Sequence, residues 1–212
     1  DWVSDLKMTE LEHARAKFVM GMITDALAPT NSLVGNPAAT KRVVDSGGLS
    51  LLKGLKNAYT DLTKNGGMPS QVDKRPFKVG ENLAVSEGEV IWKNEMLELI
   101  QYAPTTEKVH RTPILIIPPQ INKYYAMDLS PVTSMVQFLL ATGQQTFVVS
   151  WRNPKRENAD WGMQEYIDSL IQASEVVRQV TKSKKINVSG ACSGGITTAT
   201  LASLFAAAGD DR

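Results

Sequence analysis

The stretch Ile186-Asn187-Val188-Ser189-Gly190-Ala191-Cys192-Ser193-Gly194-Gly195 decides the fold of this chain. A short β-rich run ends at Gly190, and a long apolar run with helical character begins just after Gly195. Between them the residues follow the pattern G-x-C-x-G, which is the nucleophile-elbow pattern G-x-S-x-G with sulfur in place of oxygen. Such a strand–turn–helix lifts one side chain out of a crowded, strained turn. The pattern therefore predicts that Cys192 is a nucleophile and that Gly190 and Gly194 are the elbow glycines.

The elbow also places Cys192 at the N-terminus of a helix. There the positive end of the helix dipole favours negative charge on the sulfur, and backbone N–H groups point at any oxyanion that forms. We expect one oxyanion donor to be the N–H of Ser193. The second is expected in the loop after Ile117, at Gln120 or Ile121, and we choose Ile121. The alternative interpretation of that loop is a rigid strand exit.

Two other interpretations of Cys192 compete with the nucleophile. A lone cysteine is most often a small buried apolar residue, but the flanking glycines between a β-rich run and a helical run favour catalysis. The spacing G-x-x-x-x-G also occurs in phosphate-binding loops. That interpretation is disfavoured because Ile196-Thr197 supplies the threonine of such a loop but not its lysine.

A thiol nucleophile also indicates the class of reaction. Attack on an acyl-CoA exchanges one thioester for another at almost no free-energy change, so the acyl-enzyme keeps its activation for a second acceptor. Cys192 therefore fits acyl transfer from a thioester better than ester hydrolysis, although hydrolysis is not excluded.

The general base is missing from the sequence. An elbow enzyme carries an acid and then a histidine after its nucleophile, but only Asp210 and Asp211 follow as carboxylates, and the two histidines, His13 and His110, precede it. We interpret both histidines as surface or structural residues.

The composition excludes several classes of protein. With 212 residues, of which 42% are hydrophobic and 21% charged, the chain is long and apolar enough to fold. A net charge of +1 implies no attraction to nucleic acid. One cysteine cannot form an intrachain disulfide, and no Cys/His spacing indicates a metal site, which fits a cytoplasmic protein. We expect no signal peptide and no membrane span, because no apolar run reaches about 18 residues.

Residues 1–75 are predicted to form a helical N-terminal region. Two sets of apolar residues fall at helical spacing: Leu11, Ala14, Phe18 and Met22, and then Leu51, Leu52, Leu55 and Tyr59. Turn signals at Pro29-Thr30-Asn31 and Gly35-Asn36-Pro37 separate the two sets. A breaker cluster at residues 64–69 ends the second helix.

Residues 76–212 are predicted to alternate strands and helices. Strands are expected at residues 85–92, 96–102, 112–117, 146–151 and 186–189. One helix is expected to begin with Ser130 as N-cap and Pro131 at its first position, with an inner stripe of Val132, Val136, Leu139 and Leu140. A second helix carries Ile167, Leu170 and Val177. This order predicts an α/β fold, the first half of an α/β-hydrolase domain with a mostly parallel sheet and helices on both faces.

Several longer motifs, in the same order, resemble polyhydroxyalkanoate synthases. They are PPQINKYY at residues 118–125, DLSP at 128–131, VSWRNP at 149–154 and the elbow at 190–195, with LIQYAP at 99–104 and FKVGENL at 77–83. The likeness covers about residues 70–210. Ala191 and Ser193 at the elbow, and Gln120 after the prolines, are similar to the class II enzymes, which take medium-chain (R)-3-hydroxyacyl-CoA.

The resemblance implies an acyltransferase that polymerises (R)-3-hydroxyacyl-CoA into polyester. Cys192 accepts the hydroxyacyl group and releases CoA, and a histidine with an aspartate activates the thiol and the 3-hydroxyl. The resemblance implies that this aspartate and histidine lie beyond Arg212 and that the chain is a partial sequence. No cofactor is implied. The resemblance further implies a homodimer at cytoplasmic polyester granules, with N-terminal helices that contact the partner subunit, phasin or the granule surface. Two alternatives stay open: a dienelactone-hydrolase-like cysteine hydrolase, and a noncatalytic fragment that dimerises or binds granules.

Overall fold

A computed structural model describes residues 7–121 and 123–210. The chain divides into two units, Asp1–Asp73 and Lys74–Arg212. Its helices and strands, in chain order, are α1 (Glu10–Ala26), α2 (Pro37–Asp45), α3 (Leu49–Lys64), β1 (Gly88–Lys93), β2 (Leu97–Tyr102), β3 (Ile114–Ile117), α4 (Met135–Ala141), β4 (Thr146–Trp151), α5 (Met163–Thr181), β5 (Asn187–Gly190) and α6 (Ser193–Ala207).

The first unit consists of helices. Helix α1 begins with a capping box, in which Glu12 accepts a hydrogen bond from the Thr9 N–H at 2.9 Å and the Thr9 hydroxyl accepts one from the Glu12 N–H. The Thr9 hydroxyl also donates to the Glu12 carboxylate at 2.8 Å, and the bonds that this carboxylate accepts from the N–H and the hydroxyl of Thr9 lower the pKa of Glu12. Both helices expected from the apolar spacing are present as α1 and α3, and none of their described residues is buried.

Helix α2 was not expected from the sequence. Of the turn signal Gly35-Asn36-Pro37, Gly35 does lie in a turn, whereas Asn36 is the N-cap of α2 and Pro37 is its first residue. The Asn36 side chain accepts hydrogen bonds from the N–H groups of Ala38 and Ala39, at 3.0 and 3.2 Å. Asparagine and proline favour a helix start as readily as a turn, so the local sequence alone did not separate the two.

The second unit is built on a five-stranded sheet in the order β1-β2-β4-β3-β5. Strand β3 pairs in parallel with β4 and β5, whereas β1 with β2 and β2 with β4 are antiparallel. The sheet is therefore mixed, and the expectation of a mostly parallel sheet was wrong. The reason lies in the β1–β2 hairpin, where the Asn94 side chain accepts from the N–H groups of Met96 and Leu97 at 2.9 Å each. This hairpin joins the core by adding β2 to β4 in the antiparallel direction.

Helices cover both faces of the sheet. Helices α5 and α6 pack on one face, where the largest fully buried side chains are those of Leu97, Leu99, Leu115, Ile117, Phe147, Ile167, Leu170 and Leu201. Helix α4 covers the other face, with Ile100, Ile116, Val136, Leu140 and Val148. Because β3 and β4 are buried on both sides, their sequences are continuous apolar runs rather than alternating ones.

Helix α4 begins later than expected. Its N-cap is Ser134, whose hydroxyl accepts from the Gln137 N–H at 2.9 Å, and not Ser130. Ser130 instead starts a turn, in which its carbonyl accepts from the Thr133 N–H at 3.0 Å. Val132 is consequently 93% exposed and does not belong to the inner stripe of the helix.

Candidate active site

The backbone at Cys192 has the conformation that an elbow requires. Cys192 follows β5 by two residues and is the N-cap of α6, with φ +54° and ψ −123°. L-residues rarely adopt positive φ, and such strained backbone persists only where the surroundings hold it. The residue is exposed. The turn therefore presents one thiol at the carboxyl end of the sheet, where ligands bind in open α/β sheets.

Two glycines make this turn sterically feasible. A Cβ at Gly190 would lie 2.3 Å from the Thr198 hydroxyl and 2.5 Å from the carbonyl oxygen of Gly194. A Cβ at Gly194 would lie 2.2 Å from the carbonyl oxygen of Ile117. No real Cβ tolerates such distances, so strand β5, helix α6 and the end of β3 can approach one another only with glycine at both positions.

The expected oxyanion donors lie on two neighbouring segments. Ser193 is the first residue of α6, and an N–H at that position has no acceptor within its own helix. The Ala191 N–H donates to the carbonyl of Ile117 at 3.3 Å, which ties the elbow to the end of β3. Ile121 follows four residues later, with a side chain that is 86% exposed. Only its backbone can contribute to a site at this edge.

The loop between β3 and Ile121 is fixed at several points. The Trp151 indole N–H donates to the carbonyl of Pro118 at 2.7 Å, in a buried bond. The Gln120 side chain donates to the Thr197 hydroxyl of α6 at 3.5 Å. Asn122, part of the motif that follows, lies outside the described residues. The sequence did not single out Trp151, although an indole N–H at the end of an otherwise apolar strand signals a specific partner.

Asp128 anchors the far end of the same loop and was not recognised as important from the sequence. Its side chain is 1% exposed and accepts hydrogen bonds from the N–H of Ser86 at 3.1 Å, the hydroxyl of Ser86 at 2.8 Å and the hydroxyl of Ser134. Burial, and then the nearby charge of Asp128, raise the pKa of Tyr102 and also that of Tyr124. The network joins the segment before β1 to the turn before α4.

Within the second unit, the one histidine, His110, does not lie at the end of the sheet that carries Cys192. The backbone N–H of His110 donates to the backbone carbonyl of Gly143 at 2.8 Å, and the Gln145 side chain donates to the backbone carbonyl of His110. His110 thus lies at the amino ends of β3 and β4, the opposite edge from Cys192, and the four residues of β3 span on the order of 10 Å. His13 lies in α1, in the other unit.

The described ranges also hold no group of three or more His, Cys, Asp or Glu residues that could bind a metal ion. Within them, none of the helices has both the length and the apolar character needed to cross a membrane.

Comparison with known proteins finds one family and several relatives to which this chain is similar. Residues 1–139 match the family described as "Poly-beta-hydroxybutyrate polymerase (PhaC) N-terminus". The chain is 50% identical over 212 residues to "Poly(3-hydroxyalkanoate) polymerase 1" of Ectopseudomonas oleovorans and 46% identical over 200 residues to "Poly(3-hydroxyalkanoate) polymerase 2" of the same organism. It is 43% identical over 197 residues to "Poly(3-hydroxyalkanoate) polymerase subunit PhaC" of Cupriavidus necator.

These alignments cover most of this chain but a minor part of each relative. They include 100%, 94% and 92% of the chain, and 38%, 36% and 33% of the three relatives. The chain therefore spans between a third and two fifths of the length of these polymerases.

Proposed function

The chain belongs to the PhaC polymerase N-terminus family, and on that premise we propose that the polypeptide carrying it polymerises (R)-3-hydroxyacyl-CoA into polyester. Cys192 is the nucleophile of the reaction. The observation that carries this proposal is the positive φ of Cys192 between a parallel strand and a helix, which holds an exposed thiol over two glycines. The α/β-hydrolase fold is the architecture that we infer for the complete domain.

In the first step the Cys192 thiolate attacks the thioester carbonyl of the substrate. A bond forms between Sγ and the carbonyl carbon, and the oxygen becomes an oxyanion that accepts hydrogen bonds from the N–H groups of Ser193 and Ile121. Collapse of this intermediate breaks the bond to the CoA sulfur, and CoA leaves and takes up the proton that the Cys192 thiol gave up. The acyl group is then held as a thioester, which keeps its activation.

In the second step the 3-hydroxyl of another hydroxyacyl group attacks the Cys192 thioester. An ester bond forms, the bond to Sγ breaks, and the hydroxyl proton passes to a base. We propose that the base is a histidine paired with an aspartate, supplied by the part of the polymerase length that this chain does not cover. His110 is at the wrong edge of the sheet for this role.

We assign the preferred substrate to the medium-chain, class II type. The support is the small size of Ala191 and the polar Ser193 on either side of the nucleophile, together with Gln120 on the facing loop. The relatives named as polymerases do not favour a dienelactone hydrolase or a noncatalytic fragment. A homodimer at cytoplasmic granules, with phasin or granule contacts through α1–α3, is part of the same proposal; the exposed apolar side chains of these helices support it.

The test is covalent labelling of the protein expressed from its full reading frame. We expect a radioactive (R)-3-hydroxyacyl-CoA to label the wild type with release of one equivalent of CoA, and Cys192→Ala to lose both. Ser203→Ala, on the exposed side of α6, serves as the matched control and should label normally. Labelling that persists in Cys192→Ala refutes the nucleophile. Hydrolysis of a lactone without release of CoA refutes the polymerase in favour of the hydrolase.

A further inference from the structure

We propose that Trp151 is a positioning residue for the oxyanion site, because its indole fixes the peptide from which the second donor extends. This inference rests on the proposed function, since it concerns the same thiol and the same loop. It gives a role in the reaction to an uncharged side chain that takes no part in the covalent steps.

The contact that carries the proposal is buried and specific. Trp151 is the last residue of β4, next to β3 in the sheet, and it is 6% exposed. Its Nε1–H donates to the carbonyl of Pro118 at 2.7 Å. The ring of Tyr166 meets the indole edge to face, with 5.3 Å between ring centroids and 68° between planes. An indole has a single N–H, so this bond uses the only hydrogen-bond donor of the Trp151 side chain.

The sequence around the acceptor makes this one bond decisive. Pro118 and Pro119 have no backbone N–H. The peptide between them therefore has one hydrogen-bonding group, the Pro118 carbonyl, and the bond to this carbonyl sets the orientation of the peptide. The proline rings restrict φ to about −65°, so the direction of that carbonyl sets the path of the next residues. The first N–H groups after the two prolines belong to Gln120 and Ile121. A rotation of the Pro118 peptide therefore changes the direction of the Ile121 N–H, which is the second oxyanion donor that we expect.

A second contact restricts the orientation of the Pro118 peptide. A Cβ at Gly194 would be 2.7 Å from the Pro118 carbonyl oxygen, so the first turn of α6 lies directly against this carbonyl. Trp151 and α6 hold it from two sides. Loss of the indole N–H leaves a buried carbonyl without its donor, and such a group turns toward water or another partner when it can.

The consequence differs between two reactions of the same thiol. Acylation passes through an oxyanion and needs the N–H groups in place, whereas alkylation by iodoacetamide displaces iodide and forms no oxyanion. A donor displaced by about 1 Å slows an oriented reaction on the order of 100-fold. Removing the indole N–H should therefore slow acylation by about 10- to 100-fold and leave alkylation of Cys192 unchanged.

The experiment uses the enzyme from its full reading frame in three variants. Trp151→Phe removes the N–H with part of the ring. Site-specific replacement of Trp151 by benzothienylalanine exchanges only the N–H for sulfur and keeps the shape. Tyr166→Leu is the control, because it disturbs the packing of the indole but keeps its donor. Single-turnover CoA release, kcat, KM and the rate of iodoacetamide alkylation are measured for each variant.

We expect both changes at Trp151 to lower kcat and single-turnover CoA release, with KM and alkylation close to those of the wild type and of Tyr166→Leu. If benzothienylalanine acylates within twofold of the wild type, the positioning role is wrong, even if Trp151→Phe fails to fold. If alkylation falls as much as acylation, Trp151 has only a structural role. Either of these results leaves the proposed function intact, because that is decided separately by labelling of Cys192→Ala.

Discussion

Substitution of Gly194 by alanine should push the nucleophile helix away from the oxyanion loop. The added Cβ would be 2.2 Å from the Ile117 carbonyl oxygen and 2.7 Å from that of Pro118, whereas ordinary contact begins at 3.4 Å. Both obstacles are backbone atoms at the end of a buried strand, so they cannot rotate aside. The first turn of α6 must withdraw by roughly 1 Å, the difference between the shorter distance and ordinary contact.

Two effects follow from this displacement. Overpacking of this kind costs about 1–3 kcal/mol of unfolding free energy, and the gain in helix propensity from glycine to alanine returns up to about 1 kcal/mol. We therefore expect Gly194→Ala to be less stable by roughly 1–2 kcal/mol. Because Cys192 moves with the helix, acylation should slow on the order of 100-fold.

Gly195→Ala is the matched control for this prediction. Its Cβ would approach only the carbonyl oxygen of Gly190, at 3.4 Å, so the same change one residue later is tolerated. Urea unfolding gives the stability of both variants, and single-turnover CoA release gives the acylation rate. If Gly194→Ala and Gly195→Ala have equal stability and equal acylation rates, the close packing of α6 against β3 does not position the thiol, and the reasoning fails.

Two further predictions concern the buried network at the far end of the loop. Asp128→Asn should lower the unfolding free energy by about 2–4 kcal/mol, because an amide N–H₂ replaces an oxygen that accepts from Ser86 or Ser134. Urea unfolding measures this loss of stability, and a loss below about 1 kcal/mol would contradict the prediction. Burial and Asp128 raise the pKa of Tyr102, so its neutral form stabilises the fold below the unfolded pKa of about 10, and this contribution is lost as pH rises above that value. Unfolding followed from pH 9 upward should show a shallower decline for Tyr102→Phe, with the remainder due to Tyr124; identical slopes would exclude this linkage.

Much of the α/β unit could be predicted because its signals are local. The strand at Thr146–Trp151 has the expected bounds, since a continuous apolar run is typical of a strand buried on both faces. The end of α3 at Lys64 also followed from the breaker cluster at residues 64–69, in which Gly66 and Gly67 have positive φ. The elbow was recognisable for the same reason, because its small residues occupy consecutive positions.

The features that could not be predicted from the sequence depend on contacts between distant segments. Nothing within residues 88–102 says that the hairpin adds to β4 in the antiparallel direction. Ser130 and Ser134 are equally good caps by composition, and Ser134 is selected because its hydroxyl also reaches Asp128. The bond from Trp151 to Pro118 likewise joins residues 33 positions apart. Pattern alone therefore predicted the elbow at Cys192 but not the residues that hold its surroundings.

The geometry around the thiol is set by strand ends rather than by long loops. Strand β3 lies between β4 and β5 and runs parallel to both, so its carboxyl end meets Trp151 on one side and the elbow on the other. The Pro118 carbonyl is held by the indole and by the close approach of Gly194, two contacts made by rigid elements. In the proposed function, this support keeps the expected oxyanion donors in position before substrate binds, and electrostatic stabilisation of acyl transfer is most effective when the donors are preorganised in this way. In the proposed function, the base and its acidic partner are supplied by the part of the polymerase length that this chain does not cover.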